Sequence, residues 1–332
     1  MTTAPGLVAD IGGTHARFAL VAADGTIGAA EVLRCADYPS PVEAARAYLA
    51  GPGGGAVPGR GAFAIACPID GDEVALTNSP WRFSLEQTRA ALGLDRLDAV
   101  NDFAAVALAA PYLGTADLLT VGGGTARAGF PLVALGPGTG LGVAGLVPLP
   151  GGFWQSVAGE GGHVTMAPAT DREAAVLDWL RARFDHVSAE RVLSGQGLVN
   201  LYQALCALSG HQVVFSTPDV ISAHGLDGSD PVCREAVELF FAMLGTVAGN
   251  LALTFGAHGG VFLAGGILPR MAEAFRASGF RARFEAHGRF QSYLAGIPTR
   301  LIRHPLPAFV GLAALVGGLP PTPGRGDAPD PL

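Results

Sequence analysis

The 332-residue chain contains no lysine; its 21 basic residues are all arginine. That absence excludes a phosphate site built on a lysine ammonium, and with it the P-loop NTPases and the protein kinases. Charge of any kind is scarce, at 15% of residues, and the balance is acidic: −7, with a pI near 5.6. An acidic surface cannot replace the counterions of a polyanion, so nucleic acid and anionic membrane are not expected partners. Cysteine is sparse too. Cys35, Cys67, Cys206 and Cys233 stand far apart in apolar contexts, with no CxxC pair for zinc or redox chemistry, and read as buried thiols of a reducing cytosol. The opening MTTAPGLVADIGG lacks a basic start and reaches Asp10 before any apolar run of signal-peptide length, which makes a cytoplasmic location the expectation. One apolar stretch, Leu239 to Ala257, is long enough for a membrane, but Gly245, Gly249 and Asn250 interrupt it and Glu235 and Glu238 precede it. It reads as a buried helix.

Hydrophobic residues (49%) and glycine (48 residues) are abundant, and the length exceeds what one core usually serves. Two domains, or a bilobed unit with a cleft, follow. Strand and helix patterns alternate, as in an α/β fold. Leu7 to Asp10 and Arg17 to Ala22 frame a glycine turn, Ser40-Pro41 with Glu43 opens a helix, and Ser84 with Gln87 caps another. Leu97 to Val100 is a strand entering the helical stretch Phe103 to Ala110. Later helices are expected over Asp171 to Phe184, Glu190 to Leu208, Pro231 to Phe255, Pro269 to Ala277 and Ala308 to Val316, and strands near Leu118, Leu132, Gly142, Val261 and Thr299. The Pro/Gly-rich tail from 318 reads as disordered.

Three glycine clusters invite a nucleotide. Asp10-Ile11-Gly12-Gly13-Thr14 puts a strand-terminal carboxylate, two glycines and a hydroxyl together: amides for phosphate, and a carboxylate for Mg²⁺, directly or through water. Taken alone it is equally an ordinary hairpin turn. Gly136-Pro137-Gly138-Thr139-Gly140-Leu141-Gly142 also joins strand to strand, so it is no Rossmann fingerprint, and two such hairpins could clamp a polyphosphate together. Their recurrence hints at an internal duplication. The third cluster, Ala264-Gly265-Gly266, follows a buried strand; its bare backbone suits either a flat adenine or close helix-on-strand packing.

Three polar groupings stand out. Asn101-Asp102 sits at a strand-to-helix corner, where a carboxylate is ordinarily an N-cap. Glu160, Gly161, Gly162 and His163 put a carboxylate and an imidazole on a flexible loop, a pairing that suits adjacent sugar hydroxyls; a surface acid and a core or metal-bound histidine are the plainer readings. Glu190 reads first as a solvated first-turn acid. Asn78 is a turn former that could also line a cleft.

In order along the chain come DIGGTHAR at Asp10, IACPIDGD at Ile65, TNSPW at Thr77, NDFAAVA at Asn101, GPGTGLGVA at Gly136, GEGGHV at Gly159, HVSAERVLSGQGLVNLY at His186 and GGVFLAGGILPR at Gly259. These motifs resemble the bacterial glucokinase family of the actin, sugar kinase and heat-shock chaperone ATPase superfamily, from Gly6 to about Val316. His15 and Pro137 are small departures from that pattern. The resemblance implies a two-lobed actin/hexokinase-like (ribonuclease H-like) fold of mixed sheets flanked by helices around a central cleft. Residues 1–111 with 302–317 would make the small lobe and 112–301 the large one. It implies phosphorylation of glucose at the 6-hydroxyl by ATP with Mg²⁺, in a homodimer. Asp102 would be the base; Asn78, Asn101, Glu160, His163 and Glu190 would hold the sugar; Asp10, Gly12, Gly13, Thr14, Gly138, Thr139, Gly140, Gly265 and Gly266 would hold the nucleotide, with Asp10 on the metal side. A kinase for another hexose or amino sugar, and a non-catalytic actin-like sensor, remain alternatives. The cysteine spacing does not match the zinc cluster of the repressor and sugar kinase group, and no helix-turn-helix precedes the first motif.

Overall fold

The computed structural model describes residues 4–76 and 79–317. The expected tail disorder and the placement of Asn78 fall outside them. The strands are β1 (Gly6–Ile11), β2 (His15–Val21), β3 (Glu31–Arg34), β4 (Arg60–Ile65), β5 (Glu73–Ala75), β6 (Arg82–Ser84), β7 (Arg96–Asn101), β8 (Leu118–Gly122), β9 (Leu132–Pro137), β10 (Leu141–Pro148), β11 (Trp154–Gly159), β12 (Gly260–Leu263) and β13 (Thr299–Ile302). The helices are α1 (Pro41–Ala50), α2 (Leu85–Ala91), α3 (Asp102–Ala109), α4 (Asp171–Arg181), α5 (Gly195–Ser209), α6 (Pro218–Asp227), α7 (Pro231–Phe255), α8 (Ala272–Arg276), α9 (Phe280–Glu285), α10 (Gln291–Ala295) and α11 (Pro307–Gly317).

Two sheets share one wiring. The first has the order β3-β2-β1-β4-β7, and the second β11-β10-β9-β12-β13 with β8 added at its end. In the first, β2 runs antiparallel to both β1 and β3, while β1, β4 and β7 are parallel. In the second, β9, β12 and β13 are parallel and β8 is antiparallel to β13. The duplication hinted at by the glycine turns is thus a duplication of sheet topology: each turn links the first two strands of one copy.

The chain packs as two compact units, one built from residues up to 117 with Leu146–Ala158 and the segment from His304, the other from Leu118–Gly145 and Gly159–Arg303. The segment Leu146–Ala158 packs with the first unit, where β11 folds back beside the end of β10.

In the first unit, β4 is buried along five of its six residues, as a parallel strand covered on both faces must be. Phe18, Phe63, Tyr48 and Trp81 fill the core on one face. On α11, Gly311 meets α3 so closely that a Cβ there would lie 2.0 Å from the Ala105 carbonyl oxygen. Ser40 caps α1 by accepting from the Val42 amide while its hydroxyl donates to Glu43, a variant of the expected capping box.

In the second unit, α7 is the longest helix. Asp230 caps it, accepting from Val232 and Cys233 amides at 2.9 and 2.8 Å, and Gly256 ends it at φ +59. Among the described residues it is the one helix apolar and long enough to cross a membrane, yet 61% of its most apolar window is buried in protein and it packs on α5, α6 and α9. At Gly245 and Gly249 α9 comes within backbone contact, with added Cβ atoms 2.4 Å from the Phe280 carbonyl oxygen and 2.8 Å from the Phe284 carbonyl oxygen. Glu173 on α4 is fully buried; it accepts from Arg283 at 2.6 Å and from the Ala169 amide at 2.7 Å. Removing one partner of such a pair costs about 3–5 kcal/mol.

Several sequence expectations shift. The helix expected from Glu190 begins at Gly195, because Ser194 is the residue whose hydroxyl accepts from the Gly197 amide at 2.9 Å. The segment expected as one helix from Pro269 is a 3₁₀ turn (Leu268–Met271) followed by the five-residue α8. The strands β3, β6 and β11 and the helices α6, α9 and α10 had no counterpart in the pattern.

Candidate active site

The first glycine turn closes the β1–β2 hairpin. The Gly12 amide donates to the His15 carbonyl at 2.9 Å, and the Cys35 amide donates to the Thr14 carbonyl at 2.9 Å. Among the described residues, the Gly13 and Thr14 amides donate to no protein acceptor. The second turn repeats the arrangement: Gly138 donates to the Gly140 carbonyl at 2.8 Å, while the Thr139 and Gly140 amides have no protein acceptor among the described residues. In each turn one glycine amide shapes the loop and the next two point to no protein group. Backbone donors of that kind form an anion-binding concavity.

Asp10, one residue before the end of β1, faces Arg17 directly across the hairpin and accepts its Nη1 proton at 2.8 Å. Burial pushes the Asp10 carboxyl above its ordinary value, and the Arg17 guanidinium only partly offsets this. The pairing was missed in the sequence, although a seven-residue separation around a two-stranded turn is the signal for it. Among the described residues no three His, Cys, Asp or Glu side chains gather as a metal cage. One strand-end carboxylate beside glycine amides instead fits Mg²⁺ held mainly by nucleotide phosphates and water, so the residues present suit that ion.

Asn101 lies at the same end of the first sheet, because Ile11, Ile65 and Asn101 are in register across the parallel strands β1, β4 and β7. The carboxyl ends of parallel strands are where open α/β sheets bind ligands. The structure reverses the capping expectation at this corner. Asn101, not Asp102, is the N-cap of α3: its Oδ1 accepts from the Phe103 and Ala104 amides at 2.9 and 3.3 Å. Its Nδ2 points toward the Cys67 carbonyl at 3.5 Å. Asp102 occupies the first helical position, half-buried, with Oδ1 2.8 Å from the Phe103 amide. Cys67 beside it is buried and its thiol is pushed up by that burial and then by the Asp102 charge.

In the second unit the remaining candidates converge. Glu190 is no first-turn acid. It lies five residues before α5, its amide donates to the Gly162 carbonyl at 2.9 Å, and its Oε2 accepts from the Leu141 amide at 2.8 Å at the end of the second glycine turn. Gly162 carries no side chain because a Cβ would sit 2.1 Å from the Leu141 carbonyl oxygen. Glu160 and His163 are exposed and stand 3.9 Å apart, too far for a hydrogen bond, which leaves the two polar groups separate. His163 and Glu190 border a cavity of about 450 Å³ whose wall also includes Arg183, Phe184 and Arg191. Arg183 and Arg191 stack on the Trp179 and Phe184 rings, with guanidinium carbons 3.3 and 4.3 Å from the ring centres.

The third glycine cluster packs on the second turn. Gly265 has φ +86, and a Cβ there would lie 2.3 Å from the Pro137 carbonyl oxygen, so close packing accounts for it. Gly266 has nothing within 4 Å of its Cβ direction and leaves an open patch of backbone beside the turn.

The family model described as Glucokinase matches residues 7–318. The chain belongs to the glucokinase family. It is 70% identical over 310 residues, 93% of its length and 97% of the relative's, to a glucokinase of Paramagnetospirillum magneticum. A Chromobacterium violaceum glucokinase is 51% identical over 310 residues, covering 93% of this chain and 88% of the relative. Among solved structures, a glucokinase from an Antarctic psychrotroph superposes with a TM-score of 0.88 at 37% identity, covering 96% of this chain and all of the other. A ROK family glucokinase from Streptomyces griseus, solved with glucose and AMPPNP, shares the fold at a TM-score of 0.62 and 20% identity, with 94% and 98% covered. The mixed α/β fold of these sugar kinases is therefore the fold of this chain.

Proposed function

We propose that this member of the glucokinase family transfers the γ-phosphoryl group of ATP to the 6-hydroxyl of D-glucose, giving glucose 6-phosphate and ADP. The observation that carries the geometric case is the matched pair of glycine turns, each with two backbone amides that donate to no protein group among the described residues. A loose phosphoryl-transfer transition state needs positioning and charge stabilisation more than covalent help, and such amides supply both without a lysine.

In this reading the Gly13, Thr14, Thr139 and Gly140 amides hold phosphate oxygens, and Gly266, beside the closely packed Gly265, gives the adenine a bare backbone surface. Asp10 holds Mg²⁺, directly or through water, and the ion when bound neutralises charge on the phosphates. Asp102 takes the proton from the 6-hydroxyl as the oxygen attacks the γ-phosphorus and ADP leaves. Asn101 uses its carbonyl for the helix cap, so its amide group is the part that donates to a neighbouring sugar hydroxyl. Glu160, His163 and Glu190 orient the remaining hydroxyls, and Asn78 is assigned to the same task by resemblance alone. A cytoplasmic homodimer is the proposed working form.

The test is a coupled phosphorylation assay across glucose, mannose, fructose, N-acetylglucosamine and N-acetylmannosamine, with ATP as donor. The largest kcat/KM is expected for glucose. A higher kcat/KM for an amino sugar would move the assignment to that substrate, and no turnover with any of them would favour a sensor.

A further inference from the structure

We propose that Glu190 positions the second glycine turn as well as binding sugar, so that one carboxylate couples the nucleotide and sugar sites. The inference rests on the substrate assignments above. Its first support is the 2.8 Å hydrogen bond from the Leu141 amide to Glu190 Oε2, which joins residues 49 apart in sequence. The acceptor is a carboxylate, so the bond is charge-assisted and stronger than a neutral one.

Gly140 supplies the second support. A Cβ there would lie 2.4 Å from Glu190 Oε2 and 3.2 Å from its carboxyl carbon, and the next nearest atom is Glu190 Oε1, at 3.9 Å. Its φ lies outside the left-handed region, so the backbone does not itself demand glycine. The three atoms that a side chain at 140 would meet first all belong to the Glu190 carboxylate. Gly138, two residues earlier, makes the contrast: the nearest atom to its Cβ direction is 4.0 Å away.

The backbone of Glu190 is fixed without any sugar. Its amide donates to Gly162 at 2.9 Å, its carbonyl accepts from the Ser194 hydroxyl at 2.9 Å, and Gly195 next to that serine donates to the Gly138 carbonyl at 2.9 Å. The turn carrying the Thr139 and Gly140 amides is thereby tied to the segment that carries Glu190 at both of its ends. Oε2 serves the turn, and Oε1 is the atom assigned to a sugar hydroxyl. Losing the carboxylate orphans the Leu141 donor and loosens the frame of the phosphate amides.

Titration calorimetry decides the matter, with MgATP in the absence of sugar and glucose in the absence of nucleotide. Glu190→Ala is expected to weaken MgATP by roughly tenfold or more, the range for a lost hydrogen bond to a charged group. Glu190→Gln, whose amide oxygen still accepts from Leu141, is expected to stay within about threefold of wild type for MgATP while weakening glucose. Gly140→Ala should weaken glucose by about tenfold, although residue 140 offers the sugar no side chain. Wild-type MgATP affinity in a folded Glu190→Ala overturns the coupling even if glucose binding is lost. Wild-type glucose affinity in Glu190→Ala overturns the sugar reading beneath it. Should Glu190→Ala fail to fold, Gly140→Ala decides alone, and unchanged glucose affinity there overturns the proposal.

Discussion

At the scale of single residues, adjacent side chains of similar chemistry have different work. Asn101 and Asp102 are both good helix caps, and a sequence cannot say which of two neighbours takes the position. The structure gives the cap to Asn101 and leaves Asp102 one step inside the helix. Asp10 shows the opposite tension. Burial raises its folded pKa above the unfolded value of about 3.9, so its ionisation opposes folding. The penalty is absent below the unfolded pKa, grows as pH rises through the window up to the folded pKa, and is complete above it. Asp10→Asn is therefore expected to raise Tm at pH 7, with the gain shrinking as the pH falls toward 4, while weakening Mg²⁺-dependent nucleotide binding. Calorimetric melting at the two pH values checks this, and a lower Tm at pH 7 would mean that the Arg17 pair outweighs burial. Cys233 offers a second check. It sits in the first turn of α7, where a helix N-terminus ordinarily lowers a thiol pKa, yet burial and then the Asp230 carboxylate push it up to about 12. All four thiols are buried and unpaired. Iodoacetamide at pH 8 should leave native Cys233 unmodified and label all four thiols in denaturant; rapid native labelling of Cys233 would contradict its placement.

At the scale of elements, legibility in the sequence tracked punctuation. The β1–β2 and β9–β10 turns were readable because glycine clusters interrupt apolar runs, and α7 because Asp230-Pro231 opens it and Gly256 closes it. Glu190 was misplaced for a physical reason: an acid just upstream of an apolar periodic run looks like a first-turn residue, and the deciding hydroxyl of Ser194 comes four residues later. Its hydrogen bond to Leu141 spans 49 residues and leaves no local trace. The helices α9 and α10, six and five residues long, are held by packing rather than by periodicity, which a short window cannot reveal. Close helix contact also yields a prediction. Gly311 touches the backbone of α3, the helix that begins at Asp102, so Gly311→Ala should push α11 away and cost about 1–3 kcal/mol. Urea denaturation should show a lower midpoint together with reduced turnover. An unchanged midpoint would mean that α11 can shift without cost.

At the scale of the whole molecule, the chain combines a complete absence of lysine with a repeated sheet topology. An ATP-dependent sugar kinase without a phosphate-binding lysine can draw its anion donors from arginine or from backbone, and duplicating a hairpin with a glycine turn offers two sets of amides from one structural idea. In the proposed mechanism this scaffold phosphorylates glucose with Asp102 as the base. Its most direct test compares wild type with Asp102→Asn by two numbers, glucose affinity from calorimetry and kcat from the coupled ATP assay. Glucose affinity close to wild type with kcat lowered by about 10²–10⁴ is the predicted result. Wild-type kcat in Asp102→Asn would contradict it.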